Sequence, residues 1–189
     1  MTSSEAISIA RIAKVNHAGE YGAIRIYGAQ ILVSSFLWKS VVSHLEQLQT
    51  HEIEHCQLFQ DATKKRNTRS CRTMFIWSYG GWMLGFVTAL LGPKSIWACT
   101  EAVEDTVHKH MPDQLHFLKT RDPDLFDIIK GIQTEEEGHL LLARAEIGKT
   151  NSFAELLFKV VSLSVELVVW LSTWGDSSRM RRDLKEALQ

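Results

Sequence analysis

The sequence predicts an all-α protein, and three observations support that fold class. Only three prolines, Pro93, Pro112 and Pro123, break the 189-residue chain, which leaves long stretches free to form helices. Apolar residues recur at spacings of three and four positions, the period of a helix with one buried face. Two stretches also share a pattern at a fixed offset, as duplicated structural units do. Together these features predict two helical hairpins packed as a four-helix bundle.

The first hairpin is predicted to contain helices over about 4–34 and 36–65, and the polar, basic run 64–72 then forms a loop. Three glycines lie inside the first helix, each of which weakens a helix by about 1 kcal/mol relative to alanine. They therefore indicate close approach of a neighbouring helix or of a ligand. These glycines are Gly19, Gly22 and Gly28.

The second hairpin is predicted to begin near Ser95, and its second helix begins at Asp122-Pro123. Aspartate is a favoured cap, and proline is tolerated in the first turn. A further apolar helix covers 152–174 and precedes a charged tail. The two half-repeats span about 4–66 and 95–150, within a single domain 1–189.

Two apolar segments are candidates for contact with a membrane surface. Residues 73–93 carry no charge and include Trp77, Tyr79 and Trp82. The segment is about long enough to cross a bilayer, but its four glycines and terminal proline favour an interfacial or buried position. The apolar helix 152–174 carries three charged residues and is therefore not expected to span a membrane.

Two Glu-x-x-His motifs carry the clearest chemical signal. Two such matches alone would not be improbable in a chain of this composition, so their context decides. Each motif follows a Gln-Thr pair and lies 32 residues after another Glu, with an offset of 84 between the two sets. The matched residues are Glu20, Glu52 and His55 in the first set, and Glu104, Glu136 and His139 in the second.

These six residues predict a dinuclear metal site inside the bundle. Residues three apart share a helix face, so each Glu-x-x-His pair can reach one metal that a Glu of the preceding helix also faces. Four buried carboxylates would be very costly alone, whereas two divalent cations would balance their charge. Oxygen-rich ligands with two imidazoles suit iron or manganese better than structural zinc. The alternative is that these residues are solvated on helix surfaces.

Composition disfavours several other classes. The net charge of −1 provides no basic field for nucleic acid. Three scattered cysteines argue against a disulfide framework and favour a reducing compartment, where they would be buried apolar residues. The first 20 residues lack the apolar block of a signal peptide, and no GxGxxG dinucleotide fingerprint is present. The cysteines are Cys56, Cys71 and Cys99.

Several segments resemble signatures of the demethoxyubiquinone hydroxylases, the ferritin-like di-iron enzymes of ubiquinone biosynthesis. They are VNHAGEYGAIRIYGAQ, HEIEHCQLF, ALLGPKSIWACTEAVEDTVHKH and EEEGHLLLA, in that order, and the resemblance covers about 11–175. Many eukaryotic members have paired histidines followed by tyrosine after the third Glu. Here the run is His108-Lys109-His110-Met111, so no role for that tyrosine can be assigned to Met111.

The resemblance implies a ferritin-like bundle with extra apolar helices, and a monooxygenase that uses two iron ions and O2. One oxygen atom would enter a ring C–H bond of a polyprenyl-methoxy-methyl-benzoquinol, and the other would leave as water. The six residues of the repeat would be the metal ligands, three to each iron, with Glu52 and Glu136 as the expected bridges. No catalytic residue beyond these ligands is expected.

The resemblance also implies partners and a location. The polyprenyl quinol would be collected from a membrane surface by a peripheral protein on the cytoplasmic face of the bacterial inner membrane. Electrons would come from NADH or from the quinol itself. Other quinone-biosynthesis proteins and a small homo-oligomer are compatible with this interpretation, and nucleic acid is not an expected partner.

Residues beside the motifs have open roles. Asp105 and His110 could support the metal ligands or face the substrate, and Asp105 has solvation as an equal alternative. Tyr27 shares a helix face with Glu20, but core packing is the preferred interpretation. The remaining histidines, taken as surface or helix-face residues, are His44, His51 and His116.

Three other functions compete with a quinol hydroxylase. One is a di-iron oxygenase for another lipid or a modified tRNA base, although the basic run 64–72 is small for tRNA. Another is a ferritin-like iron-storage or iron-oxidising protein, which the expected apolar surface disfavours because a cage needs polar outer helices. The third is a helical scaffold with a vestigial site.

Overall fold

The structure, a computed structural model, describes residues 3–187 of the chain. Within that range the chain forms seven α-helices and a short π-helical segment without any β-strand, which confirms the all-α class. The first two and last two residues of the predicted domain lie outside the described range. The elements are α1 (Ser3–Leu37), α2 (Lys39–Lys65), the π-helical segment (Ile76–Gly80), α3 (Gly81–Leu90), α4 (Pro93–Leu118), α5 (Pro123–Ile147), α6 (Ser152–Thr173) and α7 (Asp176–Ala187).

Two helical hairpins form the body of the molecule. Helix α1 packs along α2, and α4 packs along α5; contacts between α2 and α5, and between α1 and α4, join the hairpins into a four-helix bundle. The other helices cover one side of it. Helix α3 lies on α1, α6 lies mainly on α4, and α7 packs against α4 and α6.

Most helix boundaries agree with the sequence. Asp122 caps α5, since its carboxylate accepts a 3.1 Å hydrogen bond from the N–H of Leu125, and Pro123 occupies the first turn. One boundary differs, because α1 continues to Leu37 and α2 therefore begins only at Lys39.

Two features of the sequence behave differently from expectation. The expectation that Pro112 breaks the chain is wrong, because this proline lies inside α4. An internal proline removes one helical hydrogen bond, and the buried neighbours Met111 and Asp113 hold the helix in place around it. The charged tail forms a seventh helix, α7, which the charge pattern did not reveal.

Apolar layers fill the bundle above and below its middle. One layer includes Tyr27, Leu45, Trp97 and Ala143, and the other includes Ile12, Phe59, Leu118 and Ile129, with each of the four bundle helices contributing to both layers. The residues of the two Glu-x-x-His motifs lie between these layers. Cys71 and Cys99 are buried, as predicted, whereas Cys56 is half-buried, and all three are free thiols.

The packing of α1 against α3 and against the π-helical segment depends on glycines. A Cβ atom on Gly85 would lie 2.2 Å from the carbonyl oxygen of Ile26, and one on Gly22 would lie 2.9 Å from Cε3 of Trp77. The predicted close approach to the α1 glycines is therefore confirmed at Gly22. At Gly28 the close neighbour is the Gln49 side chain, at 3.0 Å.

We expect Gly85→Ala to destabilise the protein by about 3 kcal/mol, because the added methyl group would overlap the α1 backbone. Gly131 on α5 provides the matched control, since nothing lies within 4 Å of the place that an added methyl group would occupy there. Gly131→Ala should stabilise the protein by up to about 1 kcal/mol through helix propensity. Urea unfolding followed by circular dichroism measures both changes, and equal effects of the two substitutions would contradict the close-contact argument.

Candidate metal centre

The structure brings the six residues of the repeat together in the middle of the bundle. Each is buried, with at most 7% of its surface exposed. They form two groups of four whose ligand atoms lie within 4.8 Å of one another. Both groups contain Glu52 and Glu136. Glu20 and His55 complete one group, and Glu104 and His139 complete the other.

Several polar atoms inside this cluster have no hydrogen-bond partner. His55 Nδ1 approaches Glu136 Oε1 at 2.9 Å, and His139 Nδ1 approaches Glu52 Oε1 at 3.2 Å. Neither contact is aligned as a hydrogen bond, so all four atoms remain unsatisfied although they are buried. Buried polar atoms are rarely left unpaired. Lone pairs of imidazole and carboxylate that converge in this way fit divalent cations, so the donor set fits the implied pair of metal ions.

Each imidazole is held from outside by a residue of the opposite hairpin. His55 Nε2 lies 3.1 Å from Glu135 Oε2, and His139 Nε2 lies 2.9 Å from His51 Nδ1. His51, expected to be a surface or helix-face residue, is half-buried on α2, and its ring contacts His139. His51 and Glu135 are themselves 84 residues apart, directly before the two motif glutamates, so the repeat could have identified them. These contacts leave the Nδ1 atoms free to face inward.

Tyr27 also reaches the cluster. Its hydroxyl donates a 2.6 Å hydrogen bond to Glu104 Oε1. Burial and the charge of Glu104 raise the pKa of Tyr27 well above its ordinary value, so the phenol keeps its proton. The preference for core packing was incomplete, because the ring packs in the core while its hydroxyl supports the site.

Burial makes the carboxylates hold protons strongly. It raises the pKa of Glu20, Glu52 and Glu104 well above the ordinary value, and neighbouring carboxylates raise each of them further. Burial, followed by the charge of Glu20, raises the pKa of Glu136 to about 7. Divalent cations would compete with these protons for the same oxygen atoms.

A cavity of about 50 Å³ adjoins the carboxylates. Its wall includes Gly19, whose missing side chain leaves open space, and Trp77 of the π-helical segment. Most of the lining is apolar and comes from α1, α4 and α6; the polar exceptions away from the cluster include Asn16, Gln114 and His110. The amides of Asn16 and Gln114 hydrogen-bond each other at 2.8 Å.

The remaining candidate residues separate into two groups. His110 faces the cavity, and its Nε2 lies 3.0 Å from Glu166 Oε2 on α6. Asp105 does not line the cavity; it forms ion pairs with Lys109 and Arg144 near the surface. His116 is exposed, and His44 lies beside Trp97 and Glu146, away from the six-residue cluster.

Comparison with known proteins gives one consistent result. A family model described as ubiquinone biosynthesis protein COQ7 matches residues 7–172. The chain is 35% identical over 169 residues to the mouse "NADPH-dependent 3-demethoxyubiquinone 3-hydroxylase, mitochondrial", an alignment that covers 87% of this chain and 77% of the mouse protein. It is 30% identical over 169 residues to the "3-demethoxyubiquinol 3-hydroxylase" of Rhodospirillum rubrum, covering 89% and 79% of the two chains. The yeast "5-demethoxyubiquinone hydroxylase, mitochondrial" of Saccharomyces cerevisiae is 26% identical over 190 residues, covering 93% and 80%.

We expect the metal-free protein to lose stability as the pH rises from about 4.5 towards 7. Glu136 binds its proton more tightly in the folded state, with a pKa of about 7, than in the unfolded state, with a pKa of 4.5. Its stabilising contribution is therefore complete below pH 4.5 and is lost as the pH passes the folded-state value. Urea unfolding of chelator-treated protein at several pH values measures this loss, and added Fe(II) or Mn(II) should reverse it near pH 7.

Glu136→Gln is the control for the other titrating groups. The difference in unfolding free energy between wild type and this variant should change in the stated direction between pH 4.5 and 7. A constant difference, or an absence of metal-induced stabilisation in the wild type, would contradict the interpretation of the cluster.

Proposed function

This chain belongs to the ubiquinone biosynthesis protein COQ7 family, and we propose that it hydroxylates the ring of a demethoxyubiquinol at a centre of two iron ions. The observation that carries the proposal is the buried cluster of four carboxylates and two imidazoles with unsatisfied atoms turned towards one another. Hydroxylation is the reaction that the names of the mouse, Rhodospirillum and yeast relatives specify.

The two groups of four clustered residues suggest which side chains would hold each ion. Glu52 and Glu136 belong to both groups and would bridge the two ions. Glu20 and His55 would complete one ion's ligands, and Glu104 and His139 would complete the other's, which leaves two ions of charge +2 opposite four carboxylates. When bound, reduced iron supplies electrons to O2, so that one oxygen atom enters the ring C–H bond and the other is released as water.

Surrounding side chains would fix the ligands before the substrate arrives. The Nε2–H groups of His55 and His139 would donate to Glu135 and His51, which selects the tautomers that present Nδ1 inward. The Tyr27 phenol would hold one oxygen of Glu104 and leave the other free. A site prepared in this way needs little rearrangement when it binds metal.

The cavity beside the carboxylates would receive the quinol ring. Its apolar lining suits the ring and excludes water, and His110 offers a polar contact for a ring hydroxyl. Its volume of about 50 Å³ is far below the several hundred Å³ typical of ligand sites, so part of the wall must move outward when the ring binds.

Each turnover needs two electrons and two protons in addition to O2 and the substrate, because O2 delivers one atom to the ring and one to water. These two electrons would return the iron ions to the reduced state. We propose a reduced nicotinamide nucleotide as their source; NADH was the expectation from the sequence. The name of the mouse relative specifies NADPH for that protein.

A continuous apolar stripe on α6 supports docking to a membrane. Exposed apolar side chains follow one another at helical spacing along the whole helix, and α3 and the segment before it expose another set. By length and composition, α6 alone among the described helices could cross a membrane. The opposite face of α6 packs on α4, so we propose that α6 lies along the surface. The exposed side chains on α6 include Leu156, Val160, Leu163, Leu167 and Leu171, and Trp174 directly after the helix is exposed as well.

Docking of this kind would let a peripheral protein collect a polyprenyl quinol directly from the bilayer. In a bacterium the corresponding place is the cytoplasmic face of the inner membrane. The same exposed stripe disfavours a storage cage, whose outer helices must be polar. The six positions of the predicted site are all buried, which disfavours the solvated alternative.

Quinone analysis of a host strain would test the reaction. We expect deletion of the gene to cause accumulation of a quinone that lacks one methoxy group, provided that the strain has no second hydroxylase. The wild-type gene should cure this defect, whereas Glu52→Ala should not, because it removes a shared metal ligand. Glu54→Ala is the control, since Glu54 is exposed on the same helix. Normal quinones in the deletion strain would contradict the substrate, and full activity of Glu52→Ala would contradict the metal centre.

Vesicle flotation would test the membrane surface. Leu167 on α6 and Leu141 on α5 are each 57% exposed, so the same substitution at both sites removes similar apolar area. We expect Leu167→Ser to weaken binding to phospholipid vesicles by about tenfold, because a buried leucine contributes roughly 1.5–3 kcal/mol. Leu141→Ser should bind as the wild type does, and equal loss in both variants would contradict a specific docking face.

A further inference from the structure

We propose that α7 supports the wall of the substrate cavity from behind, and that Arg181 positions His110 for the quinol through Glu166. The inference rests on the function proposed above. It concerns a helix that lies entirely after residue 172, where the match to the family model ends.

Three helices meet in this network. His110 of α4 is 6% exposed and forms part of the cavity wall, and its Nε2 lies 3.0 Å from Glu166 Oε2 of α6. Arg181 of α7 donates from Nη2 to the other oxygen of the same carboxylate at 3.2 Å. Its Nε donates to Asp113 Oδ2 at 3.4 Å. One guanidinium group thus connects α7 with both helices that form this side of the cavity.

The charges indicate what the network does. Burial lowers the pKa of His110 below its ordinary value, so the ring is neutral near pH 7. A neutral ring whose Nε2–H donates to Glu166 has a lone pair on Nδ1, which can accept a hydrogen bond from a ring hydroxyl. Glu166 is about one-third exposed, on a helix whose outer side is apolar. Without Arg181 this carboxylate would be free to turn towards water, and the imidazole would lose its orientation.

Helix α7 is fixed to the body of the protein independently of this network. Asp176, at its start, accepts hydrogen bonds from Ser8 Oγ and Arg11 Nη1 of α1, both at 2.9 Å. Met180 is buried in the apolar layer that contains Ile12 and Phe59. Arg181 therefore projects from a docked helix, as a positioning residue requires.

Binding of a quinol to the iron-loaded protein would test the proposal. A short-chain demethoxyubiquinol, kept reduced under anaerobic conditions, serves as the probe, and quenching of tryptophan fluorescence reports binding because Trp77 lines the cavity. We expect Arg181→Gln to raise Kd by about tenfold, since a charge-assisted contact is lost, and Arg181→Lys to restore most of the affinity. Arg179→Gln is the matched control. Arg179 is on the same helix and contacts Ser8 and Asp176, away from the cavity network.

In turnover assays the same loss should appear as a higher KM with little change in kcat, which a general loss of folded protein would not produce. Iron content and melting temperature should remain near wild-type values. Unchanged quinol affinity in Arg181→Gln, or equal loss in Arg179→Gln, would overturn the role of Arg181 and leave the hydroxylase function standing. Failure of the wild type to bind the quinol would instead contradict the proposed function, and this inference with it.

Discussion

The structure depends on one electrostatic constraint, which is the burial of four carboxylates at the centre of a helical bundle. Taken out of water without partners, such groups would destabilise the fold by far more than the small net stability of a domain of this size. Protons taken up from solvent neutralise these carboxylates at low pH, and divalent cations would neutralise them at higher pH. Apolar layers on both sides hold the helices around the cluster. The residues that govern the stability of the fold are therefore the same residues that would hold the metal ions.

Much of this arrangement could be predicted from the sequence because of the repeat. Spacing within and between the hairpins identified the six clustered residues, because helical geometry converts a three-residue interval into a shared face. Asp122 and Pro123 located the start of α5 for an equally local reason. Contacts between residues on distant elements were harder to predict. The hydroxyl of Tyr27 meets Glu104 from another helix, and nothing local distinguishes it from a packing residue.

Helix α7 shows a second limit of sequence patterns. Its many charges indicate a solvated tail, whereas three of them serve buried or half-buried contacts: Asp176 with α1, Arg179 with Ser8, and Arg181 with Glu166. Charge alone cannot reveal such pairing, because each partner lies on another helix, between 15 and 171 residues away in sequence. The bundle also has two different sides. Helices α2 and α5 provide the motifs, whereas α1 and α4 carry the helices that form the cavity wall and the apolar surface.

The outer partners of the two imidazoles break the symmetry of the duplicated hairpins. His55 meets the carboxylate of Glu135, and His139 meets the imidazole of His51. A carboxylate draws the N–H proton more strongly than an imidazole does, so His55 becomes the more electron-rich donor. Two metal ions in this site would therefore differ in reduction potential, with the higher oxidation state favoured next to His55. The two halves of the site have the same ligands because of the duplication, but they would not be electronically equivalent. Electrons entering the site would therefore reduce the two ions unequally.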